Sequence, residues 1–318
     1  MRTKLMLGIA AMAFCASAAA AYPDRPVTFV VPFAVGSSTD IMTRQAAKIL
    51  NEKLNTSNFI VENRPGANGT IGSNVVAKAK PDGYTLLVGT GTTHTQAPWM
   101  MASVPYDPIK DFEPVAGIGG VPLAVLVTAQ SPIKSMEDLA KTVKAKPGTY
   151  SYGTAFGMMT VCGERIRKAF GIDLVQVPYK SSSQSLTDLI GGQILTSCPD
   201  LNSSMAAIRG GQVRPLAVTM KQPIEQLPNV PSIMDSIPDF PEMRSWVGVF
   251  APRGTPADIV SLLADNLMEI TGSQEFLGAL RPNGFERLPL KGAEMTEFVE
   301  AELKKWKALI EDAGIQKQ

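Results

Sequence analysis

The chain has 318 residues, 30 Lys and Arg against 29 Asp and Glu, a formal net charge of +1, 45% hydrophobic residues and one histidine. Nucleic-acid binding needs a concentrated basic footprint, and so even a balance supplies none. His, Cys, Asp and Glu do not cluster at metal-ligand spacing, so neither a metal nor a cofactor is expected.

Met1–Ala21 reads as a secretory signal peptide. Arg2 and Lys4 precede an apolar run, Leu5 to Ala18, and Ala19-Ala20-Ala21 offers a cleavage site before Tyr22. The run is too short to favour a membrane span, and Phe14 sits where a lipoprotein signal at Cys15 needs a small residue. Cleavage after Ala21 leaves about 297 residues (318 minus 21), enough for two domains. A soluble secreted chain is expected, and no later apolar stretch is long enough to anchor it.

Short β-rich runs alternate with amphipathic stretches throughout. Strands are predicted at Val27–Val31, Phe59–Glu62, Thr85–Gly89, Pro122–Val127, Tyr150–Tyr152, Leu174–Pro178, Ile194–Ser197, Pro215–Thr219 and Gly248–Ala251. Helices are predicted at Asp40–Leu54, Met136–Ala145, Cys162–Phe170, Ser183–Gly191, Ser203–Gly210 and Ala257–Ile270, the last opened by Thr255-Pro256 with Asp258. A final helix carries Met295, Phe298, Val299, Leu303, Trp306, Leu309 and Ile310 at three- and four-residue steps, a buried face rather than a ligand surface. The rhythm predicts an α/β fold with mostly parallel sheets. A GIGG run within Ala116–Val121 and a proline-rich passage, Gln222–Met243, mark two crossings between domains. Domains are therefore expected at 22–120 (lobe 1), 121–243 (lobe 2) and 244–318 (completion of lobe 1), hinged around a cleft.

The most informative stretch is Val27–Arg44. A strand breaks at Pro32 into Phe33, Ala34, Gly36, Ser37, Ser38, Thr39 and Asp40, and then opens a helix. Unpaired amides and a helix dipole meet there, which suits an anion. No lysine follows the glycine and the spacing is not that of a dinucleotide loop, so a carboxylate is the better fit. The competing reading is an ordinary capped turn. A second strand-to-helix loop, Gly153, Thr154, Ala155, Phe156, Gly157, Met158, Met159, Thr160, offers another cradle in the second lobe.

His94, with Thr92 and other threonines beside it, is placed at the cleft edge as a hydrogen-bonding group rather than a catalyst. The segment Glu62–Gly69 reads as a structural connection in preference to a ligand contact, and Tyr106–Phe112 as a fixed loop. Cys162 and Cys198, the two cysteines beyond the signal peptide, are either disulfide-bonded or two buried small hydrophobes.

These segments together resemble the substrate-binding receptors of the tripartite tricarboxylate transporters, the Bug receptors. The resemblance rests on YPDRPVTFVVPFAVGSSTDIMTR, VENRPGANGTIG, KPDGYTLL, YDPIKDFEPV, VPYKSSSQSLTDLIGGQ, RPLAVT and SWVGVFAPRGTP, in that order. It implies the type II periplasmic binding protein fold, a small organic carboxylate as ligand, an inner-membrane permease as partner, and no catalysis. It also implies that the loop matching Phe33–Asp40 holds a carboxylate, that the loop matching Thr154–Thr160 completes the site, and that Asp200 borders the cleft.

The chain departs from the pattern where Phe156, Met158 and Met159 replace small polar residues and Thr160 replaces a common histidine. Cys198-Pro199-Asp200 also stands for the usual Phe-Asp-Asn, and Ser181 for a glycine. The expected solute is accordingly an aromatic or longer aliphatic carboxylate rather than citrate, bound by a monomer; the competing reading is that Phe156, Met158 and Met159 point into the lobe core. The rivals are a secreted hydrolase using Cys162 or a serine with His94, and a sensor subunit presenting its ligand to a membrane kinase.

Overall fold

Runs of β-branched and aromatic residues, each stopped by glycine, proline or a hydroxyl cap, set the strand and helix boundaries. The computed structural model describes residues 22–317, so the expected signal peptide lies outside the described residues. The first part of the chain forms β1 (Val27–Val31), α1 (Ser38–Lys53), β2 (Phe59–Asn63), α2 (Thr70–Ala77), β3 (Thr85–Thr90), α3 (Ala97–Met100) and β4 (Phe112–Pro122). A π-helical turn, Thr92–Gln96, joins β3 to α3. There follow β5 (Ala124–Thr128), α4 (Met136–Ala145), β6 (Tyr150–Thr154), α5 (Gly157–Phe170), β7 (Leu174–Pro178), α6 (Ser182–Ile190), β8 (Thr196–Ser197), α7 (Leu201–Arg209) and β9 (Val213–Val218). The chain ends with β10 (Arg244–Pro252), α8 (Ala257–Thr271), α9 (Gln274–Leu280), β11 (Glu286–Arg287) and α10 (Gly292–Asp312).

Two sheets result, in the orders β11-β4-β10-β3-β1-β2 and β7-β6-β8-β5-β9. The expectation of mostly parallel sheets is corrected. β1 runs parallel to β2 and β3, and β6 to β7 and β8, but β10 is antiparallel to β3 and β4, β11 to β4, and β5 to β8 and β9. The reason is the long β4–β10 pair. The GIGG run lies within β4, shortly before the chain crosses to the second sheet, and its glycines let neighbouring backbones approach. A Cβ at Gly120 would lie 2.1 Å from the Ser245 carbonyl oxygen, and one at Gly117 would lie 2.4 Å from that of Leu288.

The chain leaves the first sheet for the second at Leu123, between β4 and β5, and returns through Met243 into β10. Thr219 ties both passages together. Its Oγ1 accepts from the Leu123 N–H at 3.0 Å and donates to the Met243 carbonyl at 2.7 Å, while its own N–H bonds Leu123 O.

Each sheet has its own core, one around Phe29, Leu86, Val249 and Leu267, the other around Leu139, Tyr152, Ile166 and Leu174. α10 does not belong to the first lobe alone. Met295 and Val299 pack with Trp246 and Phe250, whereas Trp306 and Ile310 enter the second core, and Asp312 pairs with Arg165 and Lys168 of α5 at 2.6 Å each. The stripe is buried as expected, but it spans two cores.

Candidate functional site

Ser37 stops β-structure and starts α1, its Oγ accepting the Asp40 N–H at 3.3 Å. The first four N–H groups of a helix lack intrahelical acceptors. Asp40 N–H is taken by that cap and Ile41 N–H by the Ser37 carbonyl; among the described residues the amides of Ser38 and Thr39 have no acceptor. Two free donors thus sit at the positive end of a 16-residue helix. The turn before them is braced from inside. Asp40, 2% exposed, accepts from Gly36 N–H at 2.9 Å, from Asn63 Nδ2 at 2.9 Å and from Arg44 Nε, while Asn63 Nδ2 also donates to the Phe33 carbonyl. Burial would raise the Asp40 pKa, but these hydrogen bonds and the Arg44 charge hold it below its ordinary value. Ala34 closes the turn by accepting Ser37 N–H, and Thr39 is buried with its carbonyl bonded by Thr43.

The second lobe faces this cradle through Asp200, the N-cap of α7. Asp200 Oδ1 accepts from the Ser203 N–H at 3.0 Å and from Ser38 Oγ at 2.5 Å, and Ser182 Oγ lies 3.5 Å from Oδ2. A hydrogen bond therefore joins the starts of two helices from different lobes. Behind Asp200, Cys198 is joined to Cys162 of α5 by a disulfide, so the wall carrying Asp200 is fixed to the helix that follows the second loop.

Beside the second loop lies a cavity of about 560 Å³, lined by Thr154, Ala155, Phe156, Gly157 and Thr160 with Asn68, Met100 and Met101 of the first lobe. Thr154 is buried, its Oγ1 accepting from Gln176 Nε2. Ala155, Phe156 and Thr160 are half-buried.

Several sequence expectations are corrected here. α5 begins at Gly157, five residues before the predicted start, so Met158 and Met159 occupy its first turn and point into the second core, 2% and 0% exposed. The apolar bulk on the cavity comes instead from Phe156, Met100 and Met101. His94 is not at the cleft edge. It is wholly buried, stacked on Phe250 at 4.1 Å with Phe112 and Trp246 nearby, and its Nδ1 meets Thr93 Oγ1 at 3.0 Å. Burial pushes its pKa down to about 3. Asp40 braces the loop and presents no free oxygen edge to a ligand. The hydrolase rival loses both named groups, Cys162 to the disulfide and His94 to the core. Thr92 is buried at the head of the π-helical turn. Sequence reading passed over Asn63, Ser182, Asn68, Met100 and Met101; only the turn-forming run containing Asn63 and Asn68 carried a signal.

Two α/β lobes joined by two crossings, each presenting helix starts to a shared cleft, define a two-lobed binding protein of the periplasmic type II class. The chain belongs to the tripartite tricarboxylate transporter receptor family, whose model matches residues 42–315. A UPF0065 protein of Bordetella bronchiseptica is 34% identical over 308 residues, 96% of this chain and 91% of that protein. The solved structure of R. palustris Rpa4515 with adipate is 34% identical with a TM-score of 0.89, covering 93% of this chain and all of that one. MatC from Rhodopseudomonas palustris with bound malate is 28% identical with a TM-score of 0.83, covering 91% of this chain and 100% of that one. The chain is thus a carboxylate-binding receptor of a periplasmic transport family. Among the described residues no helix is long and apolar enough to cross a membrane, and no group of three or more His, Cys, Asp or Glu could hold a metal ion.

Proposed function

We propose that this protein captures an aromatic or longer aliphatic carboxylate in the periplasm, after cleavage at Ala21, and delivers it to a membrane permease without catalysing a reaction. The observation that carries the reading is the pair of open amides at Ser38 and Thr39 beside Asp200 of the other lobe, and the cavity along the Thr154–Thr160 loop supports it. The carboxylate head sits on those amides; lobe 1 (22–120 and 244–318) and lobe 2 (121–243) close over it by hinging near Leu123, Thr219 and Met243. Phe156, Met100 and Met101 provide the apolar surface for the body of the solute. A citrate would set its extra hydroxyl and carboxylates against that surface, leaving polar groups unpaired at about 1–3 kcal/mol each. The adipate held by the R. palustris relative fits the same logic. Calorimetric titration with C6 and longer or aromatic carboxylates, against citrate and malate, tests the proposal. Tighter binding of citrate or malate rejects the solute class, and no binding of any carboxylate rejects the receptor reading itself.

A further inference from the structure

Gly66, Ala67, Asn68 and Gly69 all have positive φ, at 135°, 46°, 53° and 85°. Ala67 and Asn68 thus occupy a backbone region that L side chains avoid, asparagine least strongly. Packing holds the run in place. A Cβ at Gly69 would come within 2.7 Å of Thr93 Cγ2 and 3.3 Å of Phe33 Cζ, so the segment is pressed onto the first-lobe wall of the site, beside the carboxylate loop. Its tip delivers the exposed Asn68 to the 560 Å³ cavity, opposite Phe156 and Thr160 of the second lobe. Strain of this kind persists only where surrounding structure over-determines it, and it gathers at ligand clamps.

Apart from the exposed Gln316 near the C-terminus, the cavity's other polar side chains are already engaged. Gln176 Nε2 donates to Thr154 Oγ1 at 3.0 Å, the Tyr179 hydroxyl to Asp188 at 2.8 Å, and Glu164 binds the Tyr152 hydroxyl and Arg167. Among the described residues, the Asn68 amide, the Thr160 hydroxyl and the Gln316 amide on this cavity have no side-chain partner, and the first two come from opposite lobes. No lysine or arginine lines the space. The head carboxylate is therefore not held there, whereas a chain with an oxygen at its far end would find a neutral donor on each side.

We propose that Asn68 is a specificity-determining residue that donates its Nδ2 hydrogen to a second oxygen function at the far end of the bound carboxylate, favouring ω-oxygenated acids over plain alkanoates. This rests on the carboxylate reading above. The test is calorimetric titration of wild type, Asn68→Gly and Asn68→Asp with hexanoate, 6-hydroxyhexanoate and adipate. Glycine accepts the positive φ, so Asn68→Gly removes the amide without disturbing the turn.

Wild type is expected to bind the two oxygen-ended acids about tenfold more tightly than hexanoate, the effect of one hydrogen bond. Asn68→Gly erases that preference, so that the three acids bind it about equally. Asn68→Asp weakens adipate more than 6-hydroxyhexanoate, because like charges then meet. Hexanoate binding wild type as tightly as the other two, or a preference that survives Asn68→Gly, overturns the role of Asn68 while leaving the receptor intact. If none of the three binds wild type, this proposal falls, and the carboxylate reading falls with it only when aromatic carboxylates fail to bind as well.

Discussion

The buried histidine gives the fold a calculable weakness in acid. Burial alone lowers the His94 pKa to about 3, because its imidazole is packed against Phe250, Phe112 and Trp246 with no carboxylate to support a charge. In the unfolded chain the same group titrates near 6.5. Between those two values the unfolded state binds a proton that the folded state refuses, so stability falls as pH falls through this window and the loss flattens below about 3. Each pH unit within the window is worth about 1.4 kcal/mol, which gives a loss of about 2 kcal/mol between pH 7 and pH 5 from this residue. Urea unfolding of wild type and His94→Gln at both pH values isolates the contribution. The variant, which has nothing to titrate there, should lose about 2 kcal/mol less than wild type over the same interval. An equal pH dependence in the two proteins, or an imidazole that titrates above pH 5 by NMR, refutes the reasoning.

Ser38→Ala removes the donor to Asp200, a hydrogen bond to a charged group worth about 1.5–3 kcal/mol, so the unliganded chain should expand in solution scattering and bind its carboxylate at least tenfold more weakly. An unchanged radius of gyration together with unchanged affinity would count against the interlobe contact. Cys198→Ser opens a bridge spanning 36 residues and should cost about 4 kcal/mol in the chain-entropy model; a reductant should lower the melting temperature of wild type but not of the variant. Thr219→Val leaves the Leu123 N–H and the Met243 carbonyl without their side-chain partner, which should destabilise by about 1–3 kcal/mol in chemical denaturation. A neutral result there would show that the two passages hold together without Thr219.

The parts of this molecule that were legible in the sequence are those set by short-range chemistry. The strand at Val27–Val31 and the glycine- and hydroxyl-rich turn after it follow from residue types within one stretch, and the structure forms both, although α1 starts at Ser38, capped by Ser37, two residues before the predicted Asp40. What could not be read were facts about direction. Met158 and Met159 look like ligand-facing bulk in a glycine-rich loop, but starting the helix at Gly157 instead of Cys162 rotates them into the core, and one turn of helix is below the resolution of periodicity. His94 shows the same problem at a larger scale. A lone histidine among threonines reads as polar, and only the pairing of β3 with β10 brings Phe250 and Trp246 onto its ring, from a segment more than 150 residues away. GIGG shows a related ambiguity, since glycine signals either a bend or a close approach, and the approaching strands are distant in sequence. Asn68 belongs to this class as well: composition marks its turn, but its placement opposite Phe156 depends on how two lobes meet. Local capping therefore set which amides stay open at the start of α1, while long-range packing decided which side chains line the neighbouring cavity.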